Sequence, residues 1–489
     1  MRAIVRGVLA PGLAIVLALF SAGLELAQDG GAGQTVMPVP GAPRPMGVYP
    51  SQAQGQFLGG VTQGTATAGE LPLSLDDAIQ RGLKNNLGTL VSDQERRRSE
   101  ASRLKSLADL LPNLSVRTQG SEQQLNLAAF GFSNFPGIAP VVGPFGLFDL
   151  RGYLTQRVLD FKSIRSTQAS GQIVKATEQN YQNSRDMVAL VVGGLYLQAV
   201  AGESRVNSER TQVETAEAVY RQSVDYKKSG LIPAIDVLRA QVELEADRQR
   251  LVSAENDLEK MKLSLAQAIG LPLAQQFRLT DKLSPESAPA VTLDQALDRA
   301  YENRADYRSA QSLVKAAEFT RRSAAAERYP TVAASFDYGT IGQSVTQNHG
   351  TFTAAIGVNI PIYEGGRTEA NITEADAALK QRQAERDALR SRIEFEVRTV
   401  FLDLKSTFDQ VTLASNAKGL ADSQVAQARD RFAAGVATSL EVVQAQQALA
   451  VASDNYISSL FNYNLAKGSL ARTAGQAEKL FRLFVLGDK

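Results

Sequence analysis

Apolar residues recur every three or four positions along the stretch from Gly366 to Ala434, which contains no proline and, after Gly366, no glycine before Gly419. Its seam positions are separated alternately by four and three residues, the spacing of a coiled coil: Ile393, Val397, Val400, Leu404, Thr407 and Val411. The pattern predicts one helix over 366–434, which at 1.5 Å per residue is about 100 Å long. Such a helix is too long for an ordinary globular core.

The chain is an internal duplication. Residues 73–81 match residues 291–299 at a separation of 218, and residues 225–241 match residues 430–446 at a separation of 205. The seam repeats at the second separation, at Val188, Val192, Leu195, Ala199, Gly202 and Val206. Two homologous halves follow. The first half holds about 13 extra residues, which we place in the Gly-, Pro- and Phe-rich loop over 126–146.

Each half is predicted to contain a helix, two strands, a very long helix, a tight turn and a further helix. The predicted helices span 74–111, 163–229 and 233–269, then 292–329, 366–434 and 438–474. Between the first and second helix of the second half, the apolar period changes to two, which is typical of strands: Val332, Ala334, Phe336 and Tyr338, then Phe352, Ala354, Ile356 and Val358. The first half repeats this alternation more weakly near 114–119 and 148–155. The fold class is therefore mainly α with a small β part.

Strands of about ten residues with one apolar and one small or polar face are typical of a transmembrane β-barrel, although the edge of a soluble β-sandwich has the same alternation. Four strands cannot close a barrel, which needs at least about eight. The membrane interpretation therefore requires several copies of the chain. Three copies would supply a twelve-stranded wall.

The N-terminus predicts a signal peptide over 1–23, because Arg2 and Arg6 precede an apolar run that ends at small residues. A membrane anchor is the alternative, but the run is shorter than the ~20 residues of a spanning helix. Residues 24–70 are rich in Gly, Pro and Gln and predict a disordered leader. The remaining predicted segments are repeat 1 (71–270), a linker (271–290), repeat 2 (291–475) and a C-terminal tail (476–489).

The amino-acid composition excludes several kinds of functional site. Lys and Arg total 52 against 51 Asp and Glu, so no positive excess favours a nucleic-acid partner. The absence of cysteine excludes disulfides, thiolate metal sites and cysteine nucleophiles. His349 is the single histidine and lies in the short loop over 343–350, where we expect it to be solvated. No spacing of a nucleophile with a base, or of metal ligands, stands out. We therefore expect no catalytic, cofactor or metal site, and no enzyme.

Four motifs follow one another along the chain: the duplicated Leu-Ser-Leu-Asp-Asp-Ala opening, Tyr329-Pro330 before a strand, Pro-Ile-Tyr-Glu-Gly-Gly-Arg over 361–367 after one, and Arg-Phe-Ala-Ala-Gly over 431–435 before the last long helix. In this order they resemble the TolC-type outer-membrane efflux proteins. The resemblance covers about residues 71–475. It implies a homotrimer with a twelve-stranded barrel in outer-membrane lipid, continued by an α-helical tunnel in the periplasm.

By the same resemblance, the protein is the passive exit duct of a tripartite efflux or secretion pump. A periplasmic adaptor joins such a duct to an energised inner-membrane transporter of the RND or ABC type. Several family members carry a lipidated N-terminal cysteine, which this chain lacks, so the barrel alone would hold it in the membrane. The alternative is a trimeric coiled-coil scaffold or adhesin that transports nothing.

The resemblance also assigns sites. Gly230 and Leu231, and likewise Gly435 and Val436, match the turn motif that meets the adaptor; the alternative is that both glycines only cap helices.

Acidic residues after the second turn line the periplasmic gate in the family, and the matching positions are Glu441 and Gln444. Because Gln444 replaces an acid, we expect one ring of three Glu441 carboxylates. Asp236 would form a closing contact with Arg429 or Arg431. For Glu441 the alternative is an acid that stabilises a helix N-terminus.

Overall fold

A computed structural model of the chain describes residues 52–67, 69–131, 137, 139–283, 285–286 and 291–487. The predicted signal peptide and the predicted leader up to residue 51 lie outside the described residues. The described part is mainly helical, as predicted, and contains one small antiparallel sheet.

The first half contains two short helices, two long strands and two long helices. Its elements are β1 (Leu71–Leu73), α1 (Leu75–Asn85), α2 (Leu87–Ala108), β2 (Asn113–Asn126), β3 (Val141–Leu159), α3 (Phe161–Lys228), α4 (Ala234–Ile269) and β4 (Phe277–Leu279). The second half repeats this order with α5 (Leu293–Asn303), α6 (Ala305–Ala325), β5 (Thr331–Gly342), β6 (Asn348–Asn359), α7 (Arg367–Ala433), α8 (Ser439–Thr473) and α9 (Ala477–Leu486).

The long helices α3 and α7 contain 68 and 67 residues and run without a break, as the seam pattern predicts. The first helix of each half is instead broken in two. Asn86 and Arg304 adopt extended backbone angles between the two parts. Asn86 stabilises its break because its side chain accepts from Gly88 N and donates to the carbonyls of Phe57 and Ala268. A side chain that bonds to distant backbone competes with the helix at that position.

The described part of the predicted disordered leader is folded, so that prediction is wrong for residues 52–67. A short 3-10 helix spans Gln52–Phe57. Phe57 is buried in the main core, and its ring lies against Gly88, where a Cβ atom would be 2.1 Å away. Val61 N donates to Asn85 O at 2.8 Å. Burial of Phe57 and the backbone hydrogen bond of Val61 attach this segment to the core, although its average composition predicts disorder.

Two further elements lie where a linker and a tail were predicted. Strand β4, within 271–290, pairs in parallel with β1. Helix α9, within 476–489, packs on α3 and α8. Phe481 of α9 is fully buried against Gly193 of α3 and Gly468 of α8, and a Cβ atom on either glycine would be 2.3 Å from its ring. Close approach of the three helices therefore depends on both glycines.

Charged groups hold both ends of α9. Arg185 pairs with Glu478 at 2.5 Å, and Asp186 accepts from Glu478 N at 3.0 Å. Burial raises the pKa of Asp186 to about 6. At the other end, the Nζ atom of Lys467 donates to Val485 O at 3.0 Å, and burial lowers the pKa of Lys467 to about 8. The tail is thus an integral part of the core.

The sheet has the order β2-β3-β5-β6, and all its pairs are antiparallel. Its two faces differ as the alternation predicts. One face carries exposed apolar side chains, among them Leu114, Val116, Phe352 and Ile356, each at least 70% exposed. On the other face Arg151 bridges Asp149 and Asp337 at 2.8 and 3.0 Å.

The first hairpin is longer than the second. Strands β2 and β3 contain 14 and 19 residues, against 12 in each of β5 and β6. The extra residues of the first half therefore extend strands as well as the loop to which we assigned them.

The long helices form a row in the order α4, α3, α8, α7. Helix α4 packs on α3, α3 on α8, and α8 on α7. Helices α4 and α7 therefore lie at the two ends of the row. By length and composition a window of α3 could cross a membrane, but 56% of that window is buried inside the fold, as expected of a core helix.

Candidate functional site

The two hairpin turns share one backbone design. Gly230 and Gly435 both have φ +73°, a left-handed conformation that favours glycine. In the first turn Gly230 N donates to Lys227 O at 3.0 Å, and Leu231 N donates to Tyr226 O at 2.9 Å. The equivalent bonds of the second turn, to the carbonyls of Phe432 and Arg431, are both 3.0 Å. Both turns are Schellman motifs that satisfy the last carbonyl groups of a long helix.

Both turns are open to the surroundings. Apart from the glycine itself and its two neighbours in the chain, no heavy atom of the described residues lies within 4 Å of the position that a Cβ atom would take on either glycine. Leu231 is 70% exposed and Val436 is 67% exposed. Apolar side chains at the far end of a long hairpin contribute nothing to the core of this chain. They are available for a contact outside it.

The two turns of one chain are held side by side. The hydroxyl of Tyr226 donates to Ala433 O at 3.0 Å, and the rings of Tyr226 and Phe432 are 5.5 Å apart. Below them a small core joins all four long helices through Val219, Ala240, Val425, Ala428, Phe432, Val442 and Ala445. Both turns therefore belong to one surface.

The predicted gate residues lie just inside the turns, but their contacts differ from the prediction. Glu441 pairs with Arg431 across the second turn at 3.0 Å. Asp236 is buried and pairs with Arg239, one turn along the same helix, at 3.2 Å. Within the described part of one chain, neither Arg429 nor Arg431 forms an ion pair with Asp236. Arg239 instead pairs with Asp236 on the same helix face, so the predicted closing contact is not formed within the described part of a subunit.

Gln444 and Arg239 occupy equivalent positions in the two halves. Gln444 is exposed and, as an amide, cannot hold Glu441 as Arg239 holds Asp236. The acid of the second turn is instead held from the preceding helix by Arg431. Its carboxylate remains partly exposed, with 43% of the side chain accessible.

An acidic cluster that the sequence analysis missed lies further along the first hairpin. Arg250 pairs with Glu243 at 3.1 Å and with Asp247, and Gln447 of α8 donates to Glu243 at 3.0 Å. Burial raises the pKa of Asp247. The spacing of Glu243, Asp247 and Arg250 in the sequence places them on one face of α4. Only the fold shows that this face packs toward α8, where Glu243 and Asp247 are buried. The cluster links the two hairpins of a subunit.

An open four-stranded antiparallel sheet and two paired helical hairpins in a duplicated chain are the features that define the class of this fold. Residues 296–476 match the family model of the outer membrane efflux proteins. The chain is 27% identical over 223 residues to the outer membrane efflux protein BepC of Brucella suis, across 44% of this chain and 47% of that protein. It is 24% identical over 396 residues to the pyoverdine export outer membrane protein OpmQ of Pseudomonas aeruginosa, across 78% and 80%.

Solved structures agree in fold. The CmeC outer membrane channel of Campylobacter jejuni superposes with a TM-score of 0.73 at 16% identity, over 89% of this chain and 93% of that one. The open state of the MtrE outer membrane channel of Neisseria gonorrhoeae gives a TM-score of 0.69 at 16% identity, over 86% and 96%. The solved structures thus share the fold, and the family match and the two relatives confirm the resemblance read from the motifs: the chain is similar to the outer membrane efflux proteins.

Proposed function

We propose that this chain is one third of a passive exit duct in the outer membrane, through which a tripartite pump exports its cargo. One observation supports the proposal most directly. In the described part of a single chain the sheet has two unpaired edge strands, β2 and β6, and the row of long helices has two end helices, α4 and α7, without a further long helix beside them. Relatives named for efflux and export support the transport role. The protein acts without catalysis, because a duct needs only a wall and a gate.

The sheet closes if its edges meet in neighbouring copies. Strands β2 and β6 are the two edges, and a sheet edge offers unpaired backbone groups to another strand. When β6 of one copy pairs with β2 of the next, three copies give twelve strands. The apolar face then lies against outer-membrane lipid, and the face with Arg151 lines the lumen.

The helices close in the same way. Helix α4 exposes Ile235, Leu238 and Val242 at spacings of three and four, each at least 50% exposed. Helix α7 exposes an apolar row at spacings of seven, eleven and seven, which keep to one helix face: Phe395, Leu402, Leu413 and Leu420. Because α4 and α7 end the row of helices, α4 of one copy can pack on α7 of the next. Three copies then wall a tunnel with twelve helices.

We expect the detergent-extracted protein to scatter light as three times 52.5 kDa, less the signal peptide, and to form conducting channels in a planar bilayer. Leu413→Glu should reduce the trimer because it places a charge in the proposed subunit contact. Thr412→Glu, on the neighbouring exposed position, is the matched control. A stable monomer that still inserts in membranes would contradict the trimer. A trimer without conductance would favour the scaffold.

The turns face the periplasm in this arrangement. There they would meet the adaptor, which recruits an inner-membrane transporter of the RND or ABC type. We further propose that three Glu441 carboxylates form a ring at the periplasmic gate. The pairing with Arg431 weakens the attraction of each Glu441 carboxylate for cations in the pore. The guanidinium group at 3.0 Å offsets part of the negative charge.

Cation over anion permeability measured in low salt should fall by roughly twofold in Glu441→Gln, because like charges around a pore attract counterions. Arg431→Gln should change the ratio in the opposite direction, since it releases Glu441 from its partner. High salt should weaken both effects, because the Debye length shortens from ~10 Å at 0.1 M to ~3 Å at 1 M. If neither variant changes the ratio, Glu441 lies outside the permeation path and only stabilises its helix.

A further inference from the structure

The two turns have the same backbone conformation but differ in charge. The residues that differ in charge are not required to form the turn. The first turn contains Lys227 and Lys228 where the second contains Phe432 and Ala433. Both turns nevertheless have the same φ at glycine and hydrogen bonds of 2.9–3.0 Å. The second turn thus shows that the motif forms without a lysine at either position.

The lysines point into the surroundings. Lys227 is exposed and forms no ion pair among the described residues, while Lys228 pairs with Asp225 at 3.2 Å with 72% of both side chains accessible. An exposed pair of this kind contributes little to stability. Over the aligned windows 225–239 and 430–444, the first turn has three basic and two acidic residues and the second has one basic and two acidic residues. In the second turn, moreover, that one cation is held by Glu441.

Because Tyr226 fixes the turns side by side, the difference becomes a pattern on one surface. In the proposed trimer, six turns of equal shape alternate around the periplasmic end between one with three basic and two acidic residues and one with one basic and two acidic residues. We infer that the first turn selects a partner whose contacting helical turn is acidic, whereas the second turn takes an uncharged, apolar contact through Val436.

This inference rests on the proposed function, because it names the chemistry of the adaptor that docks at the turns. Charge complementarity across an interface determines which partners bind and how fast they associate. The alternative is that the lysines only stabilise the C-terminus of α3 through the helix dipole. That role would affect folding and not the choice of partner.

The test is photo-crosslinking in the native host with benzoylphenylalanine placed at Leu231 or at Val436. We expect both positions to crosslink a periplasmic helical hairpin, and the peptide joined to Leu231 to contain acidic residues at its turn. Lys227→Ala with Lys228→Ala should lower the yield at Leu231 by about tenfold and leave the yield at Val436 nearly unchanged. Charge reversal of both lysines to Glu should lower it further.

Lys260→Glu with Lys380→Glu is the matched control, since both lysines are exposed, lie beside an acid and are distant from the turns. Thermal unfolding of the trimer should be unchanged in all these variants. The inference is overturned if the yield at Leu231 does not fall, or if the joined peptide lacks acidic residues. If neither position crosslinks a periplasmic hairpin, docking at the turns fails with it.

Discussion

Gly435→Trp is expected to abolish export while trimer and barrel remain intact. The turn lies at the end of the hairpin furthest from the sheet, and apart from Gly435 and its two chain neighbours no heavy atom of the described residues lies within 4 Å of the added Cβ position. The indole therefore leaves the backbone at an open position, on the exposed surface that the adaptor would cover. A docking surface tolerates little added volume because its packing resembles that of a protein interior.

Backbone strain has to be separated from bulk. At φ +73° any side chain adds roughly 1–2 kcal/mol of local strain. Gly435→Ala carries this strain without the bulk, so it should export at nearly the normal rate. Gly230→Trp should behave as Gly435→Trp does if both turns dock. Efflux is measured in the native host with the amount of trimer in the outer membrane determined in parallel. Normal efflux by Gly435→Trp at normal trimer levels would mean that Gly435 only caps α7.

The long helices and the sheet could be predicted because their signals are local. A seam at alternating spacings of four and three specifies a helix wherever it occurs, and the duplication supplies each half with independent evidence for the other. The same holds for the alternation in β5 and β6. The breaks at Asn86 and Arg304 were not predicted. At Asn86 the reason is that the side chain donates to the carbonyls of Phe57 and Ala268, which are distant in the sequence.

The positions of the two turns could be predicted from the sequence, whereas the ion pairs beside them could be predicted only in part. The turn glycines were visible from the duplication. The sequence analysis did not predict the ion pair of Asp236 with Arg239. The pair could have been predicted, because residues three apart on a helix are neighbours and opposite charges there form ion pairs. The pair of Arg431 with Glu441 spans a turn, so it needs the geometry of the hairpin. The inward face of Glu243 and Asp247 needs the packing of α8 on α4.

Phe481→Ala is expected to have the largest effect on stability, and it lies in the segment that the sequence predicted to be a tail. The ring is fully buried between Gly193 and Gly468. Removing a buried aromatic ring costs about 3–5 kcal/mol, because transfer energy is lost and a cavity remains. Since α9 joins α3 to α8, the loss should loosen the contact between the two hairpins of each subunit. We expect a lower unfolding temperature and less trimer in the membrane.

Gly468→Leu tests the same contact from the other side. Its Cβ atom would be 2.3 Å from the Phe481 ring, so the ring has to leave and α9 with it. In the double variant Gly468→Leu with Phe481→Ala, the new side chain fills part of the space that the ring occupied. The double variant should therefore be more stable than Gly468→Leu alone, which is the coupling expected of residues in direct contact. Leu483→Ala on the exposed side of α9 is the control and should change little. Additive losses in the double variant would show that α9 does not hold the two hairpins together through this ring.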